Sequence, residues 1–256
     1  MITKRRIFET LEKGEEDDRL SKRFDLFIMI LIILNVILVI LETEEHIYQA
    51  YKKQLDLFEA ISVIIFTIEY LLRIWTCTYM EAYRHPVWGR IKYIFSFAAL
   101  IDLFAILPFY LPLVLAIDGR FLRILRIFRL VRLFKMGRYS KAFQMISKVI
   151  MDRKEELFIT FTMLIVMLVF ASGLMYYIEN EAQPEAFSSI PETMWWGVAT
   201  LTTVGYGDVY PITSLGRLLG AFIAILGIGI FALPAGIIAS GFESELSKKR
   251  KEQDEE

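Results

Sequence analysis

Residues 202–208 offer a row of backbone carbonyls rather than a cluster of reactive side chains. They read Thr-Thr-Val-Gly-Tyr-Gly-Asp between two long apolar runs, with a single acidic side chain, Asp208. Carbonyl oxygens are hard cation ligands, and Gly205 and Gly207 can adopt positive φ without strain, so successive carbonyls can face the same way. The stretch therefore predicts a loop that replaces the hydration shell of a cation. A tight turn is the alternative.

A second stretch repeats a basic residue at every third position, with mostly aliphatic or aromatic residues between. In an α-helix this row winds slowly around the axis because three residues fall short of one turn, whereas in a 3₁₀ helix it runs straight. A surface helix, a calmodulin-type target and a basic arm for nucleic acid are alternatives. The strict spacing favours a helix that passes fixed counter-charges. The basic positions are Arg120, Arg123, Arg126, Arg129, Arg132, Lys135 and Arg138.

Acidic counter-charges lie in a preceding apolar stretch. In a predicted helix over residues 55–75, Glu59, Phe66, Glu69 and Arg73 fall on one face. Charged side chains this deep in a membrane span are costly unless they meet partners inside the protein. Arg73 lies near the predicted cytoplasmic end, where it can reach the interface or pair with Glu69.

The next apolar stretch, residues 93–117, contributes one more carboxylate, Asp102, and two prolines, Pro108 and Pro112. Proline removes a backbone donor and clashes with the preceding turn, so we expect a broken or kinked helix at the prolines. Asp102 joins the candidate counter-charges for the basic row.

Composition places these stretches in a membrane protein. The chain has 256 residues, of which 55% are apolar, and a formal net charge of −1; this is too apolar for an ordinary soluble domain. Net charge gives no argument about nucleic acid, and we expect no such partner. The single Cys77 and the isolated His46 and His85 do not suggest a metal site. Without a nucleophile or acid–base pair, we expect neither enzyme activity nor a cofactor.

Six apolar spans and one short helix account for the apolar sequence. Ser189 and Glu192 have the spacing of a capping box, which predicts a re-entrant helix to about Leu201, too short to cross a bilayer. Basic residues are more frequent before the first span than after it, which predicts cytoplasmic termini. The expected spans are residues 26–41, 55–75, 93–117, about 120–138, 157–178 and 218–242.

Two segments outside the spans have amphipathic patterns. In the charged leader, Ile7, Phe8 and Leu11 form an apolar stripe, so the leader is either a solvated cytoplasmic segment or an interfacial helix. No removed signal peptide is expected. After the basic row, apolar residues alternate at helical spacing with polar ones that include Lys141 and Lys148, which predicts an interfacial helix. It is a candidate mechanical linker or a passive connector, and its lysines are candidate contacts with anionic lipid.

Over almost the whole chain, these motifs resemble those of the voltage-gated potassium-channel superfamily. Within it, the chain resembles prokaryotic-type members, which have no cytosolic assembly domain. The resemblance implies an all-α membrane protein with a four-helix voltage-sensor domain and a two-helix pore domain. It also implies a homotetramer in the cell membrane, because one chain supplies only one strand of a filter. The implied divisions are a cytoplasmic leader (1–22), a voltage-sensor domain (23–136), an interfacial linker helix (137–155), a pore domain (156–243) and a cytoplasmic tail (244–256).

The resemblance also implies a role for each matching residue. The basic row supplies gating charges; Phe66, Glu69 and Asp102 form a charge-transfer centre, and Glu59 is an outer counter-charge. Trp195 and Trp196 are implied to brace the filter through bonds to Asp208 and Tyr206. Ala199 stands where some bacterial channels have a buried glutamate. The implied filter consists of Thr203, Val204, Gly205, Tyr206 and Gly207, preceded by Thr202, with K⁺ bound by Thr203 to Tyr206.

The last span contains a candidate inner gate. Its Pro-Ala-Gly run, from Pro234 to Gly236, resembles the inner gate of KQT-like channels, whereas Shaker-like channels have Pro-Val-Pro. Proline within a helix predicts a kink. Gly227 is a candidate hinge, although close helix packing explains a glycine there equally well. We place the gate near Ile238 to Phe242.

The expected function is passive K⁺ conduction through a four-subunit pore that is opened by movement of the basic helix. A constitutive potassium leak channel with a static basic helix is the nearer alternative. A secondary transporter is disfavoured, because the two halves of the chain have unlike charge patterns and no detectable repeat.

Overall fold

The computed structural model describes residues 4–12, 18–114 and 127–254. Regular structure in these ranges is helical. The chain divides into two compact units, Met1–Gln144 and Met145–Glu256, and each is described by itself.

The first unit contains the charged spans. Its α-helices are α1 (Lys4–Glu12), α2 (Arg19–Leu41), α3 (Glu45–Thr76), α4 (Trp88–Ile94), α5 (Phe97–Val114) and the one-turn α6 (Met136–Tyr139). A 3₁₀ helix at Phe128–Lys135 precedes α6, and 3₁₀ turns lie at Cys77–Tyr79 and Glu81–Tyr83. Helix α7 (Lys141–Asp152) begins in the first unit and ends in the second.

Helix α3 has its polar face buried and its apolar face exposed. The buried face includes Glu59, Glu69 and Arg73, whereas Ile64 and Ile68 on the other face are about half exposed. This is the reverse of a soluble bundle, and it suits helices whose charged groups pair inside the protein while lipid covers the outside. The apolar core of the unit, from α2, α3 and α5, includes Ile28, Ile32, Val63, Phe66 and Ala99.

Two boundaries in this unit differ from expectation. Helix α3 begins at Glu45 rather than near residue 55, with one non-helical residue, Tyr51, inside it. The bend in the third span lies between α4 and α5, which meet at 66°, and α5 continues through Pro108 and Pro112. Of the two expectations at the prolines, the break is therefore wrong, and a kink within α5 stays a prediction. The backbone carbonyl of Ser96 accepts from the amide of Leu100 at 2.9 Å, which starts a new helix there.

The second unit places a short helix between two long ones. It contains the end of α7, followed by α8 (Lys154–Glu179), α9 (Ile190–Leu201) and α10 (Ser214–Asp254). As predicted, the Ser189 hydroxyl caps α9 by accepting from the amide of Glu192 at 3.3 Å. Helix α10 runs through Pro234 and continues to Asp254. The predicted tail, from residue 244, therefore begins inside the helix.

Small residues set how closely these helices approach. A Cβ on Gly197 of α9 would lie 2.6 Å from the hydroxyl oxygen of Ser172 on α8, and one on Gly227 of α10 would lie 2.8 Å from Leu201. Gly227 therefore has a packing reason to be glycine, apart from its predicted role as a hinge. The core between the helices includes Met175, Trp196 and Ile223.

Three described helices are long and apolar enough to cross a membrane, or four if the bent pair α4 and α5 forms one span. The other three are α2, α8 and most of α10. Helix α3 has 32 residues, ample length for a span, but it carries more charges than a simple lipid-facing helix. The predicted fourth span lies partly outside the described residues.

Candidate functional site

The loop after α9 has the backbone geometry that a row of ligating carbonyls requires. Positive φ angles occur at Thr203 (62°), Gly205 (56°) and Gly207 (78°), as expected for the glycines. The loop is joined to α9 by the amide of Gly205, which donates to the carbonyl of Ala199 at 3.0 Å. Alternation between left-handed and ordinary backbone turns successive peptide groups, so carbonyls of neighbouring residues can line one side.

Trp195 braces the far end of this loop. Its indole nitrogen donates to Asp208 at 2.7 Å, and its ring stacks on Tyr206 with centroids 5.3 Å apart and an interplanar angle of 3°. The Trp195 hydrogen bond lowers the pKa of Asp208, so its carboxylate is ionised at neutral pH. One side chain from α9 thus holds two residues of the loop.

Trp196 does not share this position in the described part of the chain. It is buried, at 4% exposure, and its ring lies 6.4 Å from that of Phe187 within the helix core. Within the described residues of one chain, Trp195 is the member of the pair that contacts the loop, and the predicted brace from Trp196 stays a prediction. Neighbouring residues on a helix point about 100° apart, so only one of the pair faces the loop.

Trp195→Phe is expected to raise the pKa of Asp208 towards its usual value of 3.8, because phenylalanine keeps a stacking ring but has no donor. Since the folded-state pKa of Asp208 is lowered, its brace is fully present above the usual pKa and is lost as the pH falls through the lowered value. Titration of the Asp208 carboxyl ¹³C chemical shift measures this pKa. The exposed Trp88→Phe is the control, and coincident titrations of Trp195→Phe and wild type would contradict the brace.

Glu179 anchors the segment after the loop, although it was not among the predicted site residues. It is the fully buried last residue of α8. One carboxylate oxygen accepts from the amide and hydroxyl of Thr213, at 3.0 and 2.6 Å. The other accepts from the amide of Ile212 at 3.1 Å and from Gln183 at 2.9 Å. A Cβ on Gly216 would collide with this carboxylate.

The described part of the basic row lies largely in a 3₁₀ helix, so its side chains follow a straight line. Arg129, Arg132 and Lys135 belong to Phe128–Lys135, and Arg138 follows in α6. Three residues per turn place every third side chain on one face, and runs as long as these eight residues are uncommon. The predicted gating charges Arg120, Arg123 and Arg126 lie outside the described residues.

The first two described cations of the basic row, Arg129 and Arg132, pair with carboxylates. Arg129 pairs with Glu42 at 2.8 Å and Glu59 at 2.9 Å. Arg132 lies 3.3 Å from Glu59, and it donates to the side-chain oxygen of Asn35 at 2.7 Å and to the carbonyl of Ala105 at 3.0 Å. Glu59 thus lies where the sequence predicted a counter-charge.

Lys135 occupies the centre of the network and is completely buried. Its ammonium group lies 2.9 Å from Glu69, 3.0 Å from Asp102 and 4.5 Å from the centroid of the Phe66 ring. The predicted charge-transfer residues are therefore brought together around one cation. Burial of this lysine requires such partners, because an isolated ammonium ion would lose its hydration without compensation.

Arg73 and Tyr139 share Glu69 with Lys135. Arg73 donates to Glu69 at 3.0 Å and to the Tyr139 hydroxyl at 2.9 Å, and that hydroxyl donates to Glu69. The Arg73 side chain is 1% exposed. Of the two expectations for Arg73, pairing with Glu69 is therefore the one realised.

On the other side of Lys135, Arg138 pairs with Asp102 at 3.1 Å and with Glu12 at 3.0 Å. Glu12 ends α1, which packs on α2 and α3, so the leader is not a solvated segment there. Three partners of the basic row were not predicted: Asn35, Glu42 and Glu12. Asn35 is a polar residue in an otherwise aliphatic span, a feature that could have indicated a buried partner. The two glutamates lie in charged segments, where no spacing distinguishes them.

The predicted gate residues lie along α10. A Cβ on Gly236 would meet no other atom within 4 Å, and Ile238 and Phe242 are half-buried. Near the end of α10, Lys148 of α7 pairs with Glu245, and Gly241 lies against Val149. The linker helix thus packs on the segment that follows the predicted gate.

Comparisons with known proteins agree with this combination of elements. A family model for ion transport proteins matches residues 21–250. A Rhodopseudomonas palustris protein, provisionally named a potassium channel protein, is 30% identical over 244 residues, covering 94% of this chain and 58% of that protein. The potassium voltage-gated channel subfamily KQT member 1 of Squalus acanthias is 29% identical over 245 residues, covering 90% of this chain and 36% of the relative.

The corresponding KQT member 1 of Felis catus is 29% identical over 263 residues, covering 97% of this chain and 44% of the relative. The chain thus spans between about a third and three-fifths of the length of these relatives. The family match agrees with the predictions of an all-α membrane protein and of a protein that is not an enzyme. The chain belongs to the ion transport protein family.

Proposed function

We propose that the protein is a voltage-gated potassium channel that conducts K⁺ passively. The observation that carries this proposal is the loop at residues 203–207, with positive φ at three positions and a brace from Trp195. Rings of such carbonyls replace the hydration shell of K⁺. Relatives named as potassium channels support the choice of ion.

The conducting form is a homotetramer. One chain contributes one strand of carbonyls, which cannot surround an ion, and closed rotational symmetry supplies the other three. Exposed apolar residues on α10, including Leu218, Phe222 and Ile225, are suited to contacts with neighbouring subunits or lipid. In the cell membrane, both chain termini face the cytoplasm, following the excess of basic residues before the first span.

Voltage sensitivity comes from the basic row. One elementary charge that crosses the whole field changes in energy by about 2.3 kcal/mol per 100 mV. If three basic residues per subunit cross most of it, four subunits supply on the order of tens of kcal/mol. Successive cations already occupy neighbouring acidic sites, Arg132 at Glu59 and Lys135 at Glu69, so a step of three residues moves each cation to the next site.

Purified protein in planar bilayers is expected to give reversal potentials that follow the K⁺ gradient and a conductance that depends steeply on voltage. The first result follows from the carbonyl loop and the second from the basic row. Equal permeability to Na⁺ would refute the filter proposal. A K⁺-selective conductance that does not vary with voltage would favour the leak channel.

A further inference from the structure

We propose that helix α1 is a latch on the voltage sensor, in which Glu12 holds Arg138 and stabilises the outward position of the basic row. The inference rests on the proposed function and adds an element that lies outside the matched family region, residues 21–250. It assigns the leader a part in voltage sensing rather than a passive position.

The docking of α1 does not depend on Glu12. Leu11 is 7% exposed, and the Phe8 ring lies 5.5 Å from that of Tyr79. Lys4 donates to the Thr78 hydroxyl at 3.0 Å, and the Ser21 hydroxyl donates to the carbonyl of Thr10 at 3.1 Å. Apolar and polar contacts along the helix therefore keep it in place when the charge of Glu12 is removed.

One oxygen of Glu12 joins stationary and moving parts. It accepts from Arg73 at 2.8 Å, Arg138 at 3.0 Å and Tyr93 at 3.1 Å. Arg73 and Tyr93 belong to α3 and α4, whereas Arg138 continues the basic row. Two stationary donors fix the carboxylate, and the third donor is the group that the electric field moves.

The described part of the basic row, from Arg129 to Arg138, is in its outward position. Lys135 lies at the Phe66 ring, and Arg129 and Arg132 have already reached Glu42 and Glu59 beyond it. Arg138 is therefore the next cation on the cytoplasmic side. Inward movement of the row carries Arg138 away from Glu12, so this ion pair favours the outward state over the inward state.

Loss of the carboxylate has a defined direction of effect. Glu12→Gln weakens the outward state, so stronger depolarisation is needed to reach it, and the charge–voltage curve shifts to more depolarised voltages. The side chains of Glu12 and Arg138 are 15% and 16% exposed. Because solvent partly screens this ion pair, we expect only an approximately fivefold decrease in the outward-to-inward equilibrium constant. The slope is unchanged, because Glu12 does not itself move through the field.

The test is a recording of gating currents from the full chain with impermeant cations, which reports sensor movement whichever way the pore is coupled. Glu9→Gln is the matched control: it lies on the same helix, and Glu9 pairs only with Arg5 and Arg6 among the described residues. We expect a depolarising shift for Glu12→Gln and wild-type behaviour for Glu9→Gln. In an Arg138→Gln background, the shift caused by Glu12→Gln should disappear.

The outcomes separate the two proposals. A wild-type curve for Glu12→Gln, an equal shift for Glu9→Gln, or a shift that persists without Arg138 would overturn the latch and leave the channel proposal standing. Absence of gating charge from wild type and all variants would overturn the moving sensor, and the latch with it, but not K⁺ conduction.

Discussion

Glu179→Gln is expected to disrupt the segment after the proposed filter, with a lower melting temperature and loss of most steady-state K⁺ current. The four donors to Glu179 come from Ile212, Thr213 and Gln183. The glutamine side chain has only one oxygen. Its NH₂ group takes the place of the other carboxylate oxygen and faces two hydrogen-bond donors, which it cannot accept from. If the amide oxygen takes the Thr213 side, the Ile212 amide is left unpaired.

The cost of this change follows from burial. Hydrogen bonds to a charged group contribute about 1.5–3 kcal/mol each, and an unpaired buried donor costs about 1–3 kcal/mol. We therefore expect a local destabilisation of about 2–4 kcal/mol. The loop at residues 203–207 is continuous with this segment, so its carbonyl spacing depends on the anchor.

Two measurements check the anchor: the melting temperature of purified protein in detergent, and the decay of K⁺ current during a maintained voltage step. Glu181→Gln is the matched control, because it makes the same change at an exposed position two residues away. Wild-type stability and current in Glu179→Gln would show that the segment is held in another way.

Patterns of residue type and spacing predicted the parts of the site that depend on local backbone. Gly205 and Gly207 indicated positive φ, and Ser189 indicated the start of α9. The period of three left an α-helix and a 3₁₀ helix open, and the structure has the latter at Phe128–Lys135. These features follow from the chain within a few residues, where steric rules operate.

Partners distant in sequence were harder to predict. Glu59, Glu69 and Asp102 stood out because a charge in an apolar span needs a partner. Glu12 and Glu42 lie among other charged residues, where nothing in the spacing says which carboxylate turns inward. Trp196 shows the same limit, because only the packing of α9 decides which of two adjacent tryptophans reaches the loop.

The predicted division of the third span was wrong because two local preferences of the backbone compete there. Proline disfavours a helix interior, yet α5 passes through Pro108 and Pro112 and the bend lies at Ser96. Membrane-spanning helices tolerate proline because neighbouring helices and polar side chains can satisfy the backbone groups that it frees. A serine that can begin a helix was the better indicator of where this span divides.

Glu69→Gln is expected to have the largest effect on folding of any single change in the charge network. Its side chain is 1% exposed and accepts from Arg73 and Lys135, at 3.0 and 2.9 Å, and from the Tyr139 hydroxyl. Neutralising it leaves two buried cations with one fewer counter-charge. Breaking a buried pair in this way costs about 3–5 kcal/mol, because an uncompensated charge stays in the interior.

A second substitution distinguishes loss of charge balance from loss of shape. Lys135→Met in the Glu69→Gln background removes the excess positive charge and places a thioether beside the Phe66 ring, a favourable contact. The double variant should melt at a higher temperature than Glu69→Gln alone, while the exposed control Glu81→Gln stays within about 0.5 kcal/mol of wild type. A double variant no more stable than Glu69→Gln would mean that Glu69 acts through its packing and its bond to Tyr139, and that Lys135 does not need its charge to be balanced there.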